Sequence, residues 1–119
     1  MIKLISIGFF KELPYGEKFG TSLKEATSKF SGADIGKVSS YLKSGVAFVV
    51  APGISRDILS GNNEIIGGLA LLTDGIFLWP SDLAYYVENY QIDLPSELVT
   101  HMKANDWKIP AVNVSMLEM

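Results

Sequence analysis

At 119 residues, with 48% hydrophobic and 19% charged side chains, the chain is long enough to bury one core and too apolar to stay disordered. It has no cysteine, which excludes a disulfide framework, a thiolate nucleophile and a cysteine metal site. The net charge of −3 hides an asymmetry: residues 1–56 set eight Lys/Arg against four acids (+4), and residues 57–119 set two lysines against nine acids (−7).

The opening MIKLISIGFF has neither the long apolar core nor the small-residue cleavage site of a secretory signal. No apolar stretch approaches bilayer length. The expectation is a single soluble domain over 1–119, cytoplasmic, with no membrane partner.

Residues Ile2–Phe10 alternate between two largely apolar faces, which predicts a well-covered strand. KELPYGEKFG is a loop marked by Pro14, Gly16 and Gly20. Ser22-Leu23-Lys24-Glu25 has capping-box spacing and opens a helix with Leu23, Ala26 and Phe30 on one face and Gly32 at its end. Asp34 is placed to cap a second helix that buries Ile35, Val38, Tyr41 and Leu42 and closes at Gly45.

Val46–Ala51 reads as a short central strand and PGISRDILSGNN as a loop after it. Glu64–Leu72 is the next strand, with Gly67-Gly68 predicting a bulge. Asp74-Gly75 makes a hairpin turn into Ile76–Trp79. Helices follow at Pro80–Tyr90 and from Pro95, each opened by a proline with an acid two residues on. The fold class is α+β: a small, mostly antiparallel sheet with a central hairpin, about four helices, and at least one face covered.

Catalytic parts are few. His101 is the one histidine and borders the apolar side made by Leu98, Val99 and Met102. Gly53-Ile54-Ser55-Arg56-Asp57 is close to a nucleophile elbow, but Asp57 stands where the motif needs glycine. There is no phosphate loop, no dinucleotide fingerprint and no metal-ligand spacing, so no cofactor is expected. Lysines interleaved with Phe9, Phe10, Tyr15 and Phe19 are a pattern of single-strand binders, but they are isolated and the pI is near 5.0. Direct nucleic-acid binding is not expected.

A protein-binding surface suits the acidic half better. Leu83, Tyr86, Val87 and Tyr90 share the core face of their helix. Tyr85 falls opposite, among Ser81, Glu88 and Asn89, and tyrosine among polar groups is a common interface anchor.

The segments FFKELPYG, SLKEA, YLKSG, TDGIFLWPSDLAYYV and Tyr90–Pro95 together resemble immunity proteins of contact-dependent growth inhibition and related polymorphic toxin systems. The sharp part of the match is residues 73–95. The resemblance implies a non-enzymatic protein that binds the C-terminal toxin domain of a cognate effector and occludes it. A nuclease is the first expectation for the toxin, because a basic phosphate-binding site would complement the acidic half. The expected contacts are Asp74, Asp82, Tyr85, Glu88, Asp93 and Glu97. The alternatives are a small enzyme or ligand-binding domain using loop 52–57 with His101, and a structural or regulatory domain that self-associates through its aromatic face.

Overall fold

The hairpin around Asp74 organises the molecule. The computed structural model describes residues 2–30 and 34–119. Its strands are β1 (Ile2–Lys3), β2 (Ile5–Ser6), β3 (Val46–Arg56), β4 (Ile65–Thr73), β5 (Phe77–Pro80) and β6 (Leu117–Glu118). Its helices are α1 (Leu23–Ala26), α2 (Ile35–Lys43), α3 (Leu83–Tyr90) and α4 (Ser96–Ala104).

Four strands pair in the order β2-β5-β4-β3, antiparallel except for the parallel β2–β5 pair. The chain start also pairs in parallel with its end, Ile2 opposite Leu117. The result is an α+β fold with the β4–β5 hairpin at its centre, as the Asp-Gly turn predicts. Helices α2, α3 and α4 bury Val38, Leu42, Leu83, Val87, Leu98 and Met102 against that hairpin. Trp79 is fully buried there, and its Nε1 donates to the Leu42 carbonyl at 3.0 Å.

Several local expectations change. The expected strand over Ile2–Phe10 is two short ones, β1 and β2, with Leu4 buried between them and Phe10 buried beyond, while Ile2 and Ile5 are about half exposed. Helix α1 is a single turn; half of the expected box forms, the Ser22 hydroxyl accepting from the Glu25 N–H at 3.3 Å, and Glu12 adds a cap from outside it. Glu12, from the preceding loop, accepts from the backbone N–H of Leu23 (2.8 Å) and Lys24 (3.0 Å) and from the Ser22 hydroxyl. Burial pushes the Glu12 pKa up, but those donors together outweigh it and hold the carboxyl at about 2. The expected helix end at Gly32 lies outside the described residues.

Asp34 occupies the N-cap position of α2 without a side-chain cap bond. Pro80 closes β5 and does not open α3, which starts after Asp82. Pro95 is the N-cap residue of α4, so the two proline-acid segments share spacing and not structure.

The largest difference is β3. It runs eleven residues, into the first five of the segment expected to be a loop, and it lies at the sheet edge, not its centre. Val50 pairs with Ala70 and Ile54 with Gly68, so Ala51, Pro52 and Gly53 together face the single residue Leu69. This bulge bends the strand, and Gly53 takes a φ of +110° that a side chain would strain. A second register shift, between Ser55 and Arg56, sits against Gly67, where a bulge is expected. The bend turns Ser55 inward, to 6% exposure, while Ile54 stays in solvent.

Candidate functional site

Three buried aspartates meet the hairpin and α3 from different sides. Asp74 follows β4. Its Oδ1 accepts from the backbone N–H of Ile76 (3.0 Å) and Phe77 (2.8 Å), which closes the turn while Gly75 takes positive φ. Its Oδ2 accepts from the Tyr41 hydroxyl at 2.6 Å and lies 3.3 Å from His101 Nε2. His101 also faces Asn105 and packs against the Phe77 ring, with centroids 5.3 Å apart. Asp74 thus ties the turn to α2 and α4.

Asp57 follows the end of β3. Its Oδ1 accepts from the N–H of Leu59 (2.8 Å) and Ser60 (3.0 Å), and its Oδ2 from the hydroxyls of Tyr85 and Tyr90, both at 2.7 Å. Burial pushes its pKa up, but the Tyr90 and Tyr85 hydroxyls and the two N–H groups outweigh that and bring it below the usual value. The same contacts push both tyrosines up to about 12, with the Asp57 bond as the first cause.

Asp82, the N-cap residue of α3, has a poorer set of partners. Its Oδ2 accepts from the Tyr15 hydroxyl and from the Ser55 hydroxyl at 2.5 Å, and its Oδ1 has no hydrogen-bond partner among the described residues. Burial raises its pKa, and the Ser55 and Tyr15 hydroxyls do not offset this. Tyr15 reaches Asp82 because the Leu13–Gly16 loop turns tightly: a Cβ on Gly16 would sit 1.7 Å from the Phe10 carbonyl oxygen. The β3 bulge and this loop enclose a cavity of about 370 Å³ lined by Leu13, Tyr15, Pro52, Ile54, Ser55 and Asp82, among others.

These positions correct part of the expected contact set. Asp74 and Asp82 are each 1% exposed, so neither carboxylate offers itself to a partner on the surface. Tyr85 is half-buried, with its ring edge-on to Tyr86 and its hydroxyl on Asp57, so folding explains it. Glu88 is exposed but engaged: it accepts from Lys43 Nζ at 2.5 Å and from the Ser39 hydroxyl, and these bonds, Lys43 first, lower its pKa. Asp93 and Glu97 are exposed. With Asp57, Asp74 and Asp82 all inside, the surface of the C-terminal half is less acidic than its residue count.

Ser55 and His101 do not form a catalytic pair, since Ser55 bonds Asp82 and His101 faces Asp74 and Asn105. No cluster of three or more metal-ligating side chains exists among the described residues. No helix among them is long and apolar enough to cross a membrane.

A second concavity, about 490 Å³, opens between the Glu17–Thr21 loop and the turn before α4. Its lining includes Phe10, Glu17, Phe19, Asp93, Leu94 and Pro95. Phe19 is 93% exposed, the most exposed large apolar side chain among the described residues, with Lys18 Nζ 5.6 Å from its ring centroid. In the sequence Phe19 stands only in the lysine–aromatic pattern of single-strand binders, although an aromatic between Lys18 and Gly20 in a loop is a residue the core does not claim. No protein family, no curated protein and no solved structure matches this chain.

Proposed function

We propose that the chain is an immunity-type inhibitor that binds a basic toxin domain through the groove beside Phe19. The observation that carries this reading is the phenyl ring of Phe19, held in solvent next to an acid-rimmed concavity that the fold does not use. A ring of this kind loses little side-chain entropy on docking and buries a large apolar area, so it is a natural hot spot. Glu17 and Asp93 line the same groove, and Glu97 follows in the first turn of α4. A basic partner would be steered toward them and held in register.

The resemblance of residues 73–95 to immunity proteins supplies the partner class, and the groove supplies the contact surface. The proposed contacts keep Asp93 and Glu97, drop Asp74, Asp82, Tyr85 and Glu88, and add Phe19 and Glu17. Binding is by occlusion, with no chemistry on the inhibitor's side.

The test is to identify the reading frame immediately upstream, co-express the C-terminal domain it encodes with this chain, and measure the purified pair by calorimetry. Phe19→Ala should weaken binding by roughly a hundredfold, in the range of an aromatic hot spot. Reversal of Glu17, Asp93 and Glu97 to lysine should weaken it further and flatten its salt dependence. Unchanged affinity in both variants, with the fold intact by circular dichroism, would remove this surface. An upstream metabolic operon would remove the toxin.

A further inference from the structure

The groove beside Phe19 has a floor as well as a rim, and the floor is an edge of the sheet. Strand β2 is the outermost member of the order β2-β5-β4-β3, and Ser6 and Gly8 line the groove. Ile5 and Ile7 donate their backbone N–H groups toward β5, to the carbonyls of Ile76 and Leu78, at 2.9 and 2.8 Å. Backbone groups alternate between the two edges of a strand, so Ser6 turns its N–H and C=O away from β5. Leu4, two residues earlier on that outer edge, donates to the Glu118 carbonyl of β6 at 2.7 Å. Beyond that contact the edge is bare: neither Ser6 nor Gly8 has a backbone partner there among the described residues. Gly8 takes a φ of +85° and ends the extended run, so the free edge is short and centred on Ser6.

We propose that this edge takes an added strand: an extended segment of the partner bonds its backbone to Ser6 and turns a lysine or arginine toward Glu17 and Asp93. This rests on the groove reading above and adds how the partner is held there. In strand addition the main-chain bonds supply affinity, and pockets for alternate side chains supply specificity. The groove offers both kinds of pocket, apolar at Phe9, Phe19 and Leu94 and acidic at Glu17 and Asp93. A basic side chain can lay its alkyl stem along the Phe19 ring and keep its charge at the acids. An acidic segment would be repelled by the same rim.

The other edge of the sheet, β3, does not carry the same inference. It is longer, but its register shifts and Pro52 interrupt the row of outward backbone groups, which is how natural edges are guarded. Val46–Ser55 also holds no charged residue that would select a partner. A second copy of this chain suits the β2 edge poorly, because pairing β2 with β2 would set the acidic rims of two identical grooves against each other. A helical segment bonds its own backbone and would leave Ser6 without a partner. An extended basic segment is the occupant that meets both the bare backbone and the charge.

The experiment titrates the full ¹⁵N-labelled chain with the peptide acetyl-Val-Lys-Val-Lys-Val-amide and follows amide shifts and hydrogen exchange. Saturable shifts at Ser6, Gly8 and Phe19 are expected, with the Ser6 amide protected roughly tenfold or more at saturation. The same peptide methylated on every backbone nitrogen keeps its side chains and charge but loses its donors, and should bind roughly tenfold more weakly or worse. Glutamate in place of both lysines should weaken it at least as much. Ser6→Pro deletes the outward N–H and keeps the Ile5 and Ile7 bonds, a change that edge strands tolerate, and peptide binding should fall by a similar factor. Full binding of the methylated peptide, shifts at Phe19 without protection of Ser6, or undiminished binding to a folded Ser6→Pro chain would each overturn the proposal. So would the absence of saturable shifts, or shifts at Ser6 that follow the protein's own concentration, which would give the edge to a second copy. If Ser6→Pro fails to fold, the methylated peptide decides on the natural chain. The upstream-encoded domain keeps the two readings apart. If Phe19→Ala weakens its binding and Ser6→Pro does not, the groove stands and the added strand falls. If the peptide pairs with Ser6 and that domain does not bind, the strand site stands and the toxin falls.

Discussion

Asp57 and Asp82 are both withdrawn from solvent, 1% exposed each, and both accept two side-chain hydroxyls on one oxygen. They differ at the other oxygen. In Asp57, Oδ1 takes two backbone N–H groups from the turn that follows it, and in Asp82, Oδ1 takes none among the described residues. The pKa of the first falls below its ordinary value and that of the second rises above it. Asp82 lies deeper beneath the surface than Asp57, so heavier desolvation and a poorer supply of donors act together in raising its pKa. A fully bonded carboxylate is a structural tie, whereas a half-bonded one stores an unmet demand that a proton can meet.

The comparison breaks most visibly at Asp57. Asp57→Ala leaves two tyrosine hydroxyls and two N–H groups without their acceptor and leaves the Tyr86 hydroxyl, which donates to the Arg56 carbonyl and accepts from Ile58 N–H, as the remaining tie between α3 and the end of β3. A loss of about 3 kcal/mol or more in urea unfolding is expected. A loss below about 1 kcal/mol would mean that water replaces the carboxylate easily and that the cluster is not a tie. The contribution has a defined pH window. The folded pKa is depressed, so this stability is complete above the unfolded value of 3.8 and disappears as pH falls through the folded one.

Asp82 should behave with the opposite sign. Its folded pKa is raised, so its favourable contribution is complete below the unfolded value of 3.8 and is lost as pH rises through the folded one. Asp82→Asn cannot ionise and still offers an oxygen to Tyr15 and Ser55. Relative to the natural chain it should gain about 1 kcal/mol between pH 3 and pH 7, read as the difference in urea midpoints. A flat difference across that range would show that Asp82 is ionised and satisfied in the fold, and that the contrast with Asp57 is empty.

Much of this was legible in the sequence, and the boundary is physical. The Asp74-Gly75 turn, the apolar face of α3 and the burial of Trp79 follow from local period and turn chemistry, because each depends on residues within a few positions. The longer reach of β3 was not legible. Pro52 and Gly53 punctuate a loop in isolation, and only pairing with Gly68 and Ala70 makes them a bulge within a strand. The three aspartates show the same limit. Asp74, Asp82 and Tyr85 read as surface because their partners Tyr41, Ser55, Tyr15 and Asp57 lie 27 to 67 residues away. The Asp57–Ser60 turn had a local signal, an aspartate three residues before a serine ahead of a Gly-Asn pair, which marks a loop but not its tyrosine partners.

The finest division of the comparison lies within the Asp57 cluster itself. Tyr85→Phe removes one of four donors and keeps the ring, whose contacts with Tyr86 and Tyr90 are at centroid distances of 5.6 and 6.5 Å. Three donors remain on Asp57, so the cost should be about 1 kcal/mol or less. Tyr90→Phe alone should match it, since the two hydroxyls share Oδ2 at the same distance. Removing both leaves that oxygen in the state of Asp82 Oδ1, buried with no hydroxyl on it. The double variant should therefore cost more than the two singles together, by about 0.5 kcal/mol or more of coupling. Additive losses would mean that the two hydroxyls stabilise Asp57 independently, with no threshold at the last donor. A positive coupling would show that one donor per oxygen is the threshold separating a structural aspartate from one that still has something to bind.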